Sequence, residues 1–169
     1  MERPIVDAPR VRTAGSLGLI EEDLLALRAF RCFDPPGRWF EREAGKALNA
    51  AIGHLAANTL RERDRILLFE WDDELLAVAT FCEESSETAL MEFVGLAHDV
   101  HGAHTDDGDR LSDAVISSSL DEAQRLGFSR VIAKVARGHV RSRAMLNRVG
   151  FEMVSLFDHD YELHAVALT

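Results

Sequence analysis

Apolar residues recur along this chain with two periods, and the changes from one to the other lay out its elements. From Ile20 to Phe30 they follow helical spacing, behind Glu21, Glu22 and Asp23, acidic groups that suit the positive end of a helix. Phe33-Asp34-Pro35-Pro36-Gly37 breaks that period. A longer helix follows over about residues 38–60, with Phe40, Ala44, Leu48, Ala51, Ile52 and Leu55 on the face it turns to a sheet. Ile66–Trp71 and Leu75–Phe81 then read as strands of a hairpin about Asp72-Asp73, and Ala89–Ala97 as a third strand after the polar turn Glu83-Glu84-Ser85-Ser86.

Helical spacing returns over residues 110–125, where Leu111, Ala114, Val115, Ser118, Glu122 and Leu126 share a stripe that Gly127 ends. Arg130–Ala136 is a β-branched, alternating strand, and Ser142–Val149 a short helix with Met145 and Val149 inward, stopped by Gly150. Two closing strands, Glu152–Phe157 and Tyr161–Leu168, flank Asp158-His159-Asp160. At the other end Val11–Leu17 reads as a first strand and residues 1–10, with Pro4 and Pro9, as a loose arm. The order is strand, two helices, three strands, helix, strand, helix and two strands. It predicts one α/β (α+β) domain over residues 1–169, with a mixed, mostly antiparallel central sheet flanked by helices.

Composition narrows the function. A chain of 169 residues, 47% hydrophobic, can bury one good core. Its net charge of −10 lacks the basic footprint of a nucleic-acid binder. No apolar run approaches the roughly 20 residues of a membrane span, and residues 1–10 lack the apolar centre of a signal peptide. Cys32 and Cys82 lie far apart in no metal-binding spacing, which reads as two free thiols in a reducing cytoplasm. His98, His101 and His104, near Asp99, Asp106 and Asp107, match no recognised metal-site spacing and read as loop histidines, so no metal is expected.

The chemistry concentrates between residues 89 and 151. Glu92 is the lone acid in an otherwise apolar strand, a placement that suits a general base. The helix start near Arg110 is a natural anion site, although Asp106, Asp107 and Asp109 crowd it with carboxylates better suited to capping. Arg137, Arg141 and Arg143 form a basic patch around the last helix. No activated serine or cysteine constellation is visible.

His139-Val-Arg-Ser142-Arg-Ala-Met-Leu146-Asn-Arg-Val-Gly150-Phe151, with Leu126-Gly127-Phe128 and Glu92-Phe-Val-Gly-Leu96-Ala-His98, resembles the GNAT superfamily of acyl-CoA-dependent N-acyltransferases. The likeness spans residues 66–168; ahead of that only the element order agrees. It implies an N-acetyltransferase that moves an acetyl group from acetyl-CoA to a primary amine by direct attack, the acceptor being a small molecule or a peptide. It also implies Glu92 as catalytic base, an oxyanion donor among the backbone N–H groups near Leu96 or Ala97, and cofactor contacts from Leu96, Ala97, Arg110, Leu111, Ser112, His139 and Ser142. A homodimer through the closing strands is compatible with the family.

This chain departs from the family pattern at three places. Arg110 stands for the first glycine of the phosphate loop, in the stretch Asp107-Gly108-Asp109-Arg110-Leu111-Ser112; His139 stands for an asparagine; and Leu146 stands for the tyrosine acid. These departures keep a second reading open: a non-catalytic GNAT-like domain that binds acyl-CoA or a protein partner.

Overall fold

The computed structural model describes residues 5, 6 and 8–169, with side chains from residue 8 onward. Seven strands form the main sheet: β2 (Arg10–Thr13), β3 (Arg65–Trp71), β4 (Glu74–Glu83), β5 (Thr88–Leu96), β7 (Arg130–Ala136), β8 (Glu152–Leu156) and β9 (Tyr161–Ala167). They are ordered β2-β3-β4-β5-β7-β9-β8, and every neighbouring pair is antiparallel except β5–β7. The helices are α1 (Ile20–Ala29), α2 (Trp39–Ala56), α3 (Leu111–Arg125) and α4 (Val140–Arg148). This is the mixed, mostly antiparallel sheet that the hydrophobic pattern predicts.

The structure adds a short turn of 3-10 helix (His98–Val100) and two two-residue strands, β1 (Ile5–Val6) and β6 (His104–Thr105), which pair in parallel. The expected loose arm over residues 1–10 lies partly outside the described residues; within it, Ile5 and Val6 are paired and Arg10 opens β2. The first strand covers Arg10–Thr13 rather than Val11–Leu17, because the chain turns at Gly15 and Gly18, both at positive φ. Asp72 and Asp73, at φ of 52° and 61°, make the two-residue turn whose twist matches that of a hairpin.

Alternation along β3 sorts the core into two layers. Leu67 and Phe69 pack with Val115 and Ile116 of α3, Leu146 of α4 and Phe151, whereas Ile66 and Leu68 pack with Leu27 of α1 and Leu48, Ile52 and Leu55 of α2. Each face of the sheet therefore carries one pair of helices. The layer under α1 is tied down by Asp23, which accepts hydrogen bonds from Arg12 (3.0 and 2.5 Å) and from the Gly15 N–H (2.7 Å).

Two irregularities in β5 position the site. Strand β5 pairs with β7 only from Thr88↔Arg130 to Met91↔Ala133, and beyond that point the two strands part. On its other side Phe81 pairs with Met91 and Thr80 with Phe93, so Glu92 is an extra, bulged residue. The bulge reverses the alternation: Met91 packs in the α3/α4 layer, yet Phe93, two residues on, packs in the α1/α2 layer.

Candidate functional site

A cavity of about 330 Å³ lies where β5 and β7 part. Met91, Val94, Ser142, Met145 and Leu146 line it from the α3/α4 side, and Phe40, Glu43, Ala44 and Ala47 of α2 from the other. The gap in the sheet thus connects its two faces. Cys32, Glu92, His139 and Tyr161 complete much of the polar lining.

Backbone pairing shows which groups of β5 face the gap. Ala97 N–H donates to Leu76 O at 2.7 Å, so the bonded pairs down the ladder are Ala97/Leu76, Gly95/Val78 and Phe93/Thr80. The N–H and C=O groups of Val94 and Leu96 therefore point away from β4, toward the gap that β7 has vacated. Ala97, expected to offer an oxyanion donor, has its N–H committed to the ladder. At Leu96 the N–H meets Cys32 Sγ, and the C=O accepts from His101 Nε2 at 3.1 Å. That leaves Val94, a residue the sequence pattern did not single out.

Cys32 and His101 form a small latch at the end of β5. Cys32 Sγ lies 3.8 Å from His101 Nε2, the His101 ring meets Phe33 edge-on with centroids 5.9 Å apart, and His98 N–H donates to Arg31 O at 2.9 Å. Burial pushes the Cys32 thiol up to about 12, with the Leu96 N–H opposing only in part. It is a protonated thiol, not an activated nucleophile. Gly95 is tight against the latch, since a Cβ there would stand 2.6 Å from the Phe93 ring and 2.9 Å from Cys32 Sγ.

Glu92 sits on the bulge, solvent-exposed and lining the cavity. It neighbours Cys82, whose thiol is pushed up to about 12 by burial first and then by the Glu92 carboxylate. His139 is the N-cap of α4; its ring stacks on Phe40 (4.5 Å, 21°), and Ser142 Oγ lies 3.3 Å from its Nε2. Burial holds His139 below the usual imidazole value, Arg141 and Arg38 add to that, and Glu41 opposes it. Tyr161 reaches the cavity from β9 against Trp39 (5.7 Å, edge-on), and its phenol is pushed up, chiefly by burial.

The expected phosphate loop lies apart from this cavity: Arg110, Leu111 and Ser112 do not line it. The Leu111 side chain is wholly buried in the α3/α4 core, and its N–H donates to Ala103 O at 3.0 Å. Ser112 Oγ turns to Asp113 (3.5 Å), while Arg110, as N-cap, is exposed and makes no side-chain cap. None of the three loop aspartates caps α3 as expected. Instead the loop closes on itself through Gly108 N–H to Thr105 O (3.0 Å), Thr105 N–H to Asp109 O (2.7 Å) and Thr105 Oγ1 to Asp107 (3.1 Å).

The basic patch divides. Arg143 pairs with buried Glu162, Arg137 donates to His159 O at 3.2 Å, and Arg141 stays exposed. Among the described residues no group of three or more His, Cys, Asp or Glu side chains could hold a metal ion, and no helix is long and apolar enough to cross a membrane.

Sequence reasoning missed Cys32, Phe40, Glu43, Val94 and Tyr161 as cavity residues. Phe40 and Ala44 were legible only as the apolar stripe of α2. The others carry no local signal, because the gap that assembles them is made by strands distant in sequence.

No protein-family model and no curated protein matches this sequence. Solved structures do. A protein assigned to the GNAT family of acetyltransferases, from Desulfovibrio desulfuricans, superposes with a TM-score of 0.66 at 16% identity, over 96% of this chain and 100% of its own. Campylobacter jejuni N-acetyltransferase PseH in complex with acetyl coenzyme A gives 0.63 at 8% identity, over 95% and 100%. The ribosomal-protein-S18-alanine N-acetyltransferase from Escherichia coli gives 0.59 at 12% identity, over 95% and 94%. At such identities the likeness is one of fold.

Proposed function

On a chain that has the fold of the GNAT acetyltransferases, we propose that this cavity transfers an acyl group from acyl-CoA to a primary amine. One observation carries the reading: the cavity passes through the sheet where β5 and β7 part, so two reactants entering from opposite faces can meet there. Its volume, about 330 Å³, suits the thioester end of one reactant and the amine of the other, with the rest of the coenzyme outside.

The residues of the gap fit a thioester. The Val94 N–H faces it without a strand partner and supplies the oxyanion donor, in place of Ala97. Ser142 and Met145 offer a hydroxyl and a soft apolar wall on the donor side. The diphosphate would rest near the start of α3, where Arg110 is exposed and the closed, acidic loop opposes it. On the acceptor side Glu43 and Glu92 favour a cationic amine, and Glu92 removes its first proton. The free amine attacks directly, with no acyl-enzyme, in keeping with a Cys32 thiol held protonated.

The latch at Leu96 and the self-closed loop support a second reading, a domain that binds an acyl-CoA or a partner without turnover. Titration calorimetry with acetyl-CoA, followed by thiol release across a panel of amines, separates the two. Binding with amine-dependent thiol release is the expected result. Saturable binding with no release for any amine would favour the second reading, and absence of binding at millimolar ligand would overturn both.

A further inference from the structure

The acyl-transfer reading leaves one proton unassigned. After attack, the amine nitrogen must shed a second proton and the departing sulfur must gain one, and Leu146, on the donor wall, has none to give. Four facts converge on His139. Its ring lies in the cavity at the seam between the two faces, at the start of α4, where β5 and β7 have parted. Phe40 stacks on it at 4.5 Å and fixes its plane. Its Nε2 stands 3.3 Å from Ser142 Oγ. Ser142 in turn lies one helical turn before Leu146, on the same face, and lines the same donor wall.

We propose that His139, with Ser142 as its relay, carries the proton from the attacking amine to the leaving thiolate; the inference rests on the acyl-transfer reading above. The steps balance. The amine nitrogen forms the C–N bond, and its proton passes to His139 Nε2. The C–S bond breaks with its electron pair going to sulfur, which takes the hydroxyl proton of Ser142. The imidazolium returns a proton to Ser142 Oγ, so amide and thiol leave while both side chains are restored. The chemistry needs an imidazole that is neutral at rest, and its burial against Phe40 provides that. Glu92, exposed on the bulge, takes only the proton of the incoming ammonium.

Among the described residues, the charged and titratable groups that act on the ring or share its cavity are Arg38, Glu41 and Glu43 at α2, Arg141 of α4, Cys32 of the latch, and Glu92, Lys134 and Tyr161 from the sheet. The test measures acetyl-CoA affinity by calorimetry and thiol release against pH for the wild type, His139→Gln, Ser142→Ala and Phe40→Leu. His139→Gln should bind within about threefold of wild type and lose on the order of 10²–10³ in kcat. It should also lose the limb of the kcat profile that falls off in acid below the usual histidine value. Ser142→Ala should lose about tenfold in kcat with that limb kept. Phe40→Leu, which exposes the ring, should move the limb to higher pH, and it serves if His139→Gln fails to fold. A kcat for His139→Gln within threefold of wild type, or a limb that Phe40→Leu leaves in place, would overturn the relay while acyl transfer stands. Wild-type protein that releases no thiol would remove acyl transfer itself, and the relay with it.

Discussion

Replacing Asp23 with Asn tests how the wall that carries α1 and α2 is held to the sheet. Asp23 is almost wholly buried, accepts from both terminal nitrogens of Arg12 and from the Gly15 N–H, and is the link between α1 and β2. Breaking a buried ion pair costs about 3–5 kcal/mol when the partner charge is stranded. Here Arg12 is a quarter exposed and keeps Glu70 at 2.5 Å, and an Asn can still accept from Gly15. The expected loss is therefore about 2 kcal/mol, and Asp23→Ala, which also orphans the Gly15 N–H, should lose about 3 kcal/mol.

The pH dependence gives a second handle. Burial alone would raise the Asp23 carboxyl, but the hydrogen bonds from Arg12 and Gly15 outweigh it and hold the group below its ordinary value. A group depressed in the folded state contributes stability that is present above its unfolded value, about 3.9, and is lost as pH falls through the lower folded one. Urea unfolding followed by circular dichroism, at pH 7 and at steps from 5 to 2.5, should show the gap between wild type and Asp23→Asn narrowing only in the acid steps. A difference under about 0.5 kcal/mol at pH 7, the level of an ordinary surface change, would refute the reasoning. So would a gap that stays constant down to pH 2.5.

Three further outcomes are expected. Glu92→Gln should keep acetyl-CoA affinity and lose about 10²-fold or more in kcat at neutral pH, with partial recovery as alkaline pH frees the amine; unchanged pH–rate behaviour would remove Glu92 as base. Both thiols, held near 12, should react with a disulfide dye at pH 8 far more slowly than free cysteine, since only about one part in 10⁴ is thiolate; rates like those of a free thiol would contradict the burial argument. Gly95→Ala must displace Phe93 and Cys32 and should lower stability by about 1–3 kcal/mol. A midpoint of urea unfolding unchanged from wild type would show that the latch gives way freely.

The sequence by itself determined the elements and their order, because periods of 3.6 and 2 in apolar residues are local and the breakers between them are explicit. The stripe of α2 named Phe40 and Ala44, the runs Ile66–Trp71 and Leu75–Phe81 about Asp72-Asp73 named a hairpin, and the run from His139 to Phe151 marked the last helix and its glycine stop. Glu92 was legible too, as a lone acid in an apolar strand.

Tertiary structure alone decided where the gap lies. Parting of β5 from β7 after Met91 depends on a pairing between strands some 40 residues apart in sequence, and the bulge that turns Phe93 to the opposite layer depends on the register of β5 against β4. The same pairings spent the Ala97 N–H on Leu76, left the Val94 N–H facing the cavity, and brought Cys32 and His101 to Leu96. No local pattern encodes which backbone groups of a strand remain unpaired, since that is a property of its neighbours. For the same reason the start of α3, the natural anion site by its sequence, does not line the cavity, while Tyr161, which no neighbouring residues mark, lines it together with His139.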